Sequence, residues 1–262
     1  MSYTMDAEIE ATRLERQVDQ ANYRLGDEFD CFRVSPTECV LDAGCGSGVL
    51  CRYLLRERGV RQIHGIDSSS VRLDQARRLL LARERDAITF FEADLSSLEP
   101  RFRQQYDTAI ARYVLEHVPD ALAVLRELHE ALKQGGRLIA VDLDGVFVNL
   151  STPNAALRDY LDELVDKVDF DLFVGRKLPW LMREAGFVDV EYETRLIDCR
   201  GASRREEAEN TRMRFAALGP FLRKLFGSDQ RSEQFQRLYL KELEKPENTL
   251  VFTKFIGVGR KG

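Results

Sequence analysis

The chain has 262 residues, 44% of them hydrophobic and 32% charged, with a net charge of −5 at neutral pH. That length suits one or two domains and buries roughly 70–75% of the unfolded surface; the acidic balance argues against a dominant non-specific nucleic-acid surface. No apolar stretch nears the ~20 residues of a membrane span, and the charged first twenty residues lack a signal-peptide core, so a cytoplasmic, enzyme-sized protein is expected.

Apolar residues Ile9, Leu14, Val18 and Ala21 at helical spacing predict a helix over residues 6–25, with polar turn residues at 26–30. After Ser35-Pro36, short apolar runs at 39–42, 62–66, 88–92, 108–112 and 137–142 predict strands. Helical patterns at 48–58, 69–82 and 120–133 lie between them. This alternation implies a parallel sheet covered on both faces. Right-handed crossovers make it doubly wound, with ligands at the carboxyl ends of the strands. Beyond Asp144, residues 154–168 and 177–185 look helical, Gly186 closes the second helix, and 188–197 predicts a strand. Residues 203–245 form a charged, mostly helical insertion broken by Gly219-Pro220 and Gly227, and 250–258 predicts a final strand. With a strand on each side, the insertion reads as a cap on the same fold.

The five cysteines (Cys31, Cys39, Cys45, Cys51, Cys199) make no CxxC pair and have only His64, His117 and His129 to join them. Neither a zinc site nor a disulfide framework is supported, and reduced thiols are expected. The strongest local signal is Asp42-Ala43-Gly44-Cys45-Gly46-Ser47-Gly48, a glycine turn joining a buried strand to a helix. Glycines let such a turn tighten and approach a ligand closely. A dinucleotide GxGxxG fails in both registers, because its third glycine would fall on Val49 or Cys51. Asp42 directly before the turn suits a cationic or hydroxylated ligand better than a pyrophosphate.

With its D-x-G-x-G-x-G turn, the chain resembles the class I S-adenosylmethionine-dependent methyltransferases. The resemblance continues in order through His64-Gly65-Ile66-Asp67-Ser68-Ser69, Phe91-Glu92-Ala93-Asp94-Leu95, the segment 106–118 and Leu132-Lys133-Gln134-Gly135-Gly136. It implies that Asp42, Gly44, Cys45 and Gly46 approach the methionine and ribose portions of S-adenosylmethionine. Asp67, beside Ser68, would take the ribose hydroxyls. Asp94 would meet the adenine amino group, with backbone help from Ala93 and Leu95. Arg112 ends the fourth strand against the cofactor, and a helix at the amino terminus would fold over the methionine end as a lid. Arg13, Gln17, Tyr23 and Arg24 are the candidates there, and Arg13 and Gln17 share a helical face.

The acceptor is less legible. After strand four stand Ala111-Arg112-Tyr113-Val114 where the DNA-adenine and protein-glutamine enzymes of the resembling family carry N/D-P-P-Y/F, and no cysteine nucleophile lies nearby. His117 can serve as a general base, since its free pKa lies near neutrality, or it packs over the cofactor or caps its loop. Asp142 and Asp144 share one face of strand five and can bind a substrate amine or hydroxyl, or stand solvated; two carboxylates alone make no metal site. Phe147, Phe170, Phe173 and Trp180 could wall the acceptor. Arg212, Arg214, Arg223 and Lys224 interleave with apolar residues of the insertion and read as a solvated face or an acidic-substrate contact.

The expectation is thus an α/β, doubly wound, seven-stranded sheet with its last strand antiparallel. Residues 1–35 form the lid, 36–200 the cofactor-binding core, 201–246 the cap and 247–262 the final strand of a single domain spanning 1–262. It would methylate an oxygen or nitrogen of a small molecule, by resemblance a secondary metabolite, using His117 and Asp144 and releasing S-adenosylhomocysteine. No metal, membrane or DNA is expected, and the insertion offers an apolar side for homo-oligomers. A protein or RNA acceptor, or a non-catalytic S-adenosylmethionine-binding partner, is the alternative.

Overall fold

The computed structural model describes residues 7–29, 33–145, 147–168 and 170–262. Asp6, Asp30 and Cys31 lie outside the described residues. The anticipated alternation is present: β1 Cys39–Ala43, α3 Val49–Arg58, β2 Gln62–Asp67, α4 Ser70–Leu79, β3 Ile88–Glu92, β4 Tyr106–Arg112, α5 Ala121–Ala131 and β5 Leu132–Asp144. Before it come α1 Ala7–Gln17 and the short α2 Leu25–Phe29. After it come β6 Leu150–Ser151, α6 Ala155–Lys167, α7 Val174–Glu184, β7 Phe187–Asp198, α8 Gly201–Ala217, α9 Gly219–Phe226, α10 Asp229–Glu244 and β8 Thr249–Lys261.

Seven strands lie in the order β3-β2-β1-β4-β5-β8-β7, and the two-residue β6 adds an eighth by pairing with the start of β8. β1 to β5 are parallel, whereas β8 runs antiparallel to both β5 and β7. The order reverses between β1 and β4, and a doubly wound sheet opens its ligand crevice at such a switch point.

Successive side chains of the central strands alternate between the two faces. Val40, Ile110 and Ile139 pack with Leu50, Leu54 and Leu73 on the side of α3 and α4. Leu41, Ala109 and Leu138 pack with Leu125, Leu128 and Met182 on the side of α5 and α7. Strands buried on both faces explain the near-continuous apolar runs in the sequence. Helix starts follow ordinary capping: Ser69, Asp120 and Asn154 each accept a backbone N–H from the first turn of the helix that follows.

Three boundaries differ from expectation. The amino-terminal helix stops at Gln17 and the chain turns through a 3-10 segment at Ala21–Tyr23. β5 begins at Leu132, and its Tyr106↔Leu132 and Thr108↔Arg137 pairings leave a bulge containing Gly135, whose φ of 74° favours glycine. The insertion is three helices, and its apolar side is turned inward: Phe215, Leu222, Phe226 and Phe235 join Phe147, Leu157, Leu164 and Phe252 in one buried cluster. The face on which homo-oligomerisation was expected is therefore already covered. Among the described residues no helix is long and apolar enough to cross a membrane, and no cluster of three potential metal ligands occurs.

Candidate active site

The glycine turn closes on the neighbouring strand. Ile66 carbonyl accepts the N–H of Gly44 at 2.7 Å and of Cys45 at 2.9 Å. Gly44 and Gly46 have φ of 71° and 53°, and a Cβ on Gly44 would stand 2.5 Å from Val114 Cγ2. Side chains are therefore excluded where the backbone faces the crevice. Asp67, at the end of β2, is buried; its Oδ2 accepts from Gly46 N at 2.9 Å and its Oδ1 from Ser69 N at 2.9 Å. Those two N–H groups fix the carboxylate plane. Asp42 is also buried, accepts the Cys51 thiol at 3.1 Å, and has its pKa pushed up to about 6 by loss of solvent.

Asp94 stands at the rim beyond β3, where the Ser96 backbone N–H and hydroxyl, at 2.8 and 2.7 Å, hold its carboxyl below the usual range. The loop after β4 is shaped by Asp142, fully buried on β5, whose Oδ2 accepts the N–H of Leu115 at 2.9 Å and of Glu116 at 3.3 Å. That loop makes a 3-10 turn at Leu115–His117. His117 Nε2 lies 3.5 Å from Glu116 Oε1, and burial lowers its pKa below the ordinary imidazole value.

The glycine turn, Asp42, Asp67, Asp94, Glu116 and His117 line one cavity of about 700 Å³, within the range of small-ligand sites. Gly44, Cys45, Gly46, Asp42, Asp67 and Ser68 form its floor, and Ala93, Asp94 and Leu95 one edge. Glu10, Arg13, Leu14 and Gln17 supply a wall from one face of α1. Tyr113, Leu143, Phe147, Phe170, Leu172 and Arg214 also belong to its lining. α1 is fastened on two sides. Glu15 binds Arg52 at 2.5 and 2.6 Å and accepts the Ser47 hydroxyl at 2.6 Å, while Arg13 donates to Asn210 of α8 at 3.0 Å.

Of the sequence-assigned residues, the structure gathers Arg13, Gln17, Asp42, Gly44, Cys45, Gly46, Asp67, Ser68, Ala93, Asp94, Leu95, Arg112 and His117 around the cavity, and leaves Tyr23, Arg24, Asp142 and Asp144 off its lining. Tyr23 is 1% exposed and donates its hydroxyl to Glu207 at 2.9 Å, because the break after Gln17 carries it off the cavity face of α1. Arg24 is exposed. Asp144 turns away to Arg176 of α7, 2.7 Å from its Oδ2, and so is not placed to meet an acceptor in the cavity. Arg112 reaches the wall with its guanidinium engaged by Glu28 at 2.5 Å and by the Tyr23 carbonyl at 3.0 Å. Burial pushes the Glu28 carboxyl up, but Arg112 and Lys254 outweigh it and hold the pKa below the ordinary value.

Sequence reasoning did not assign Glu10 or Arg72 to the site. Glu10 was recoverable, since it lies three residues before Arg13 on a helix; the proximity of Arg72 to Asp67, 4.0 Å, exists only in the fold. Arg214 departs from its solvated-face reading: it is 7% exposed and lines the cavity. Arg212 and Arg223 do lie outward, paired with Glu209 and Asp229.

Residues 11–192 match a family model described as a methyltransferase domain. A ubiquinone biosynthesis O-methyltransferase of Vibrio vulnificus is 30% identical over 126 residues, 48% of this chain and 48% of that protein. An uncharacterized 37.1 kDa protein in transposon TN4556 of Streptomyces fradiae is 31% identical over 161 residues, 61% of this chain and 46% of that protein. The matched segments span about half the length of these curated relatives. Among solved structures, phosphoethanolamine N-methyltransferase 2 of Haemonchus contortus, in complex with phosphomonomethylethanolamine and S-adenosylhomocysteine, gives a TM-score of 0.62 at 18% identity. It covers 96% of this chain and 57% of that chain, and at that identity the likeness is one of fold.

Proposed function

The chain belongs to the methyltransferase-domain family and has the class I S-adenosylmethionine-dependent fold, and from that premise we propose that it methylates an oxygen or nitrogen of a small molecule. The observation that carries this reading is one cavity of about 700 Å³ lined both by the glycine turn with its carboxylates and by apolar side chains, room for a polar donor and an organic acceptor together. One relative is named an O-methyltransferase and one structural neighbour an N-methyltransferase, which supports either acceptor atom.

The residues suit S-adenosylmethionine. Gln17 Oε1 lines this space buried and without a hydrogen-bond partner among the described residues, so it can accept from an ammonium group. Arg13 spends three N–H donors on Glu10 and Asn210, leaving about two of its five for a carboxylate. Asp67, with its plane fixed, is set to accept ribose hydroxyls, and Asp94 stands at the rim for the adenine amino group. Bound there, S-adenosylmethionine supplies an electrophilic methyl carbon. The chain's own contribution is to position the acceptor in line, exclude water with Tyr113, Leu143, Phe147 and Phe170, and remove a proton. His117, neutral at pH 7 because burial lowers its pKa, is the proposed base.

Calorimetry with S-adenosylhomocysteine and with NAD, then incubation with methyl-labelled S-adenosylmethionine and a fractionated metabolite extract, tests the reading. Binding of the former ligand and a labelled small molecule are expected. Label confined to added protein or RNA, or preference for NAD, would overturn it. His117→Gln should lower turnover at least about a hundredfold, the scale of general-base catalysis, with S-adenosylhomocysteine affinity retained; unchanged turnover would remove the base assignment.

A further inference from the structure

The cavity holds four arginines, and they differ in how their N–H groups are spent. Arg13 is bound by both oxygens of Glu10 and by Asn210, and Arg112 by Glu28 and the Tyr23 carbonyl. Arg72 faces Asp67. Arg214, from α8 of the insertion, has an ion pair with Glu207 at 3.7 Å, beyond hydrogen-bond distance, and lies 5.3 Å from the centre of the Phe147 ring. Glu207 is meanwhile engaged elsewhere, accepting from Tyr23 at 2.9 Å and Asn210 at 3.4 Å.

Arg214 is 7% exposed, and with no hydrogen bond from its guanidinium among the described residues its N–H groups stay open to an acceptor in the cavity they line. Its planar fork matches the two oxygens of a carboxylate or phosphate. Phe147 orients that fork and is itself held by stacking on Phe215 at 5.7 Å. Phe147, Phe170, Leu143 and Leu172 line the same cavity and supply apolar surface, with Phe147 directly against Arg214.

We propose that Arg214 is the specificity residue for the acceptor and binds an oxyanion, a carboxylate or phosphate, carried on its organic body. This rests on the methyl-transfer reading and narrows its substrate class. It also gives the insertion a direct part in recognition, since α8 brings the charge to a cavity that the strand ends alone would leave without it.

The test is calorimetry on the complex with S-adenosylhomocysteine, using benzoate, phenyl phosphate and the neutral benzyl alcohol as probes. At least one oxyanion should bind at least about tenfold more tightly than benzyl alcohol, and the stronger of the two names the group. Arg214→Met should lose about tenfold or more of that affinity and Arg214→Lys an intermediate amount, because a point charge replaces the fork. Both variants should keep S-adenosylhomocysteine affinity within about threefold, which also reports that they fold. Arg214→Lys retains the charge beside Glu207 if the methionine variant unfolds. Equal binding of neutral and anionic probes, no oxyanion binding at millimolar concentration, or undiminished oxyanion binding by Arg214→Lys would each overturn the proposal. So would loss of S-adenosylhomocysteine affinity in Arg214→Lys, which would place the arginine on the donor. Failure of the unaltered protein to bind S-adenosylhomocysteine is a different result and strikes the methyltransferase reading itself.

Discussion

Asp42 carries the sharpest consequence of burial for a single residue. Lack of solvent raises its pKa to about 6 in the folded chain, although the Cys51 thiol donates to it. An unfolded aspartate titrates near ~3.9, so the folded state binds this proton more tightly. The stabilisation is complete below the unfolded value and is lost as pH rises from about 4 to about 6, a change of order 3 kcal/mol. Urea unfolding between pH 4 and 7 should therefore show Asp42→Asn gaining stability relative to the unaltered chain as pH rises, by about that amount. Parallel curves for the two proteins would refute the assignment. Gly44 gives a second test at this scale: alanine there meets both a φ of 71° and Val114 at 2.5 Å, so Gly44→Ala should abolish measurable S-adenosylhomocysteine binding, whereas Tyr23→Phe, off the cavity, should leave it intact. Asp42, Asp67 and Asp94 were legible because each lies within two residues of the carboxyl end of a parallel strand, where the sheet delivers the chain to the crevice. Tyr23 and Arg214 were not. Tyr23 was placed by extending a helical period through a turn that begins at Val18, and α8 has no strongly apolar face to separate a cavity-facing arginine from solvated ones.

At the scale of elements, α1 is a wall made by periodicity. Glu10, Arg13, Leu14 and Gln17 recur at three- and four-residue steps and so share one face. Its position depends on ties to two different parts of the molecule, Glu15 to Arg52 and Ser47, and Arg13 to Asn210. Glu15 is partly exposed but its bidentate partner Arg52 is buried, so replacing Glu15 by alanine strands that guanidinium and should cost on the order of 1–3 kcal/mol of global stability. It should also loosen the wall. Hydrogen exchange ought to show faster exchange of α1 amides with the β1–β5 amides unchanged, and S-adenosylhomocysteine should bind several-fold more weakly. Unaltered α1 protection would mean that the Arg13–Asn210 side holds the helix by itself. The sheet was readable from sequence because double-sided burial writes unbroken apolar runs, whereas β6, two residues long, leaves no period to detect.

Across the whole molecule, the insertion shares a core with the strands it separates. Phe215, Leu222, Leu225, Phe226, Phe235 and Tyr239 are each at most 2% exposed, and they pack with Phe147, Leu157, Leu250 and Phe252. At about 1.5–3 kcal/mol for each buried side chain, those six contribute on the order of 9–18 kcal/mol before entropy is set against them. Whole-domain stability is about 5–15 kcal/mol. A cap that could open as a separate body would not bury so much of the core's own apolar surface. We therefore propose that residues 1–262 melt as one cooperative unit, with the cap and the sheet losing structure together. Calorimetric and van't Hoff enthalpies of the intact chain should agree, and a chain joined directly across residues 201–246 should neither melt cooperatively nor bind S-adenosylhomocysteine. A shortened chain that still folds and binds the ligand would show the cap to be an accessory placed over a self-sufficient sheet, and Arg214 would then be removable without cost to the donor half of the site.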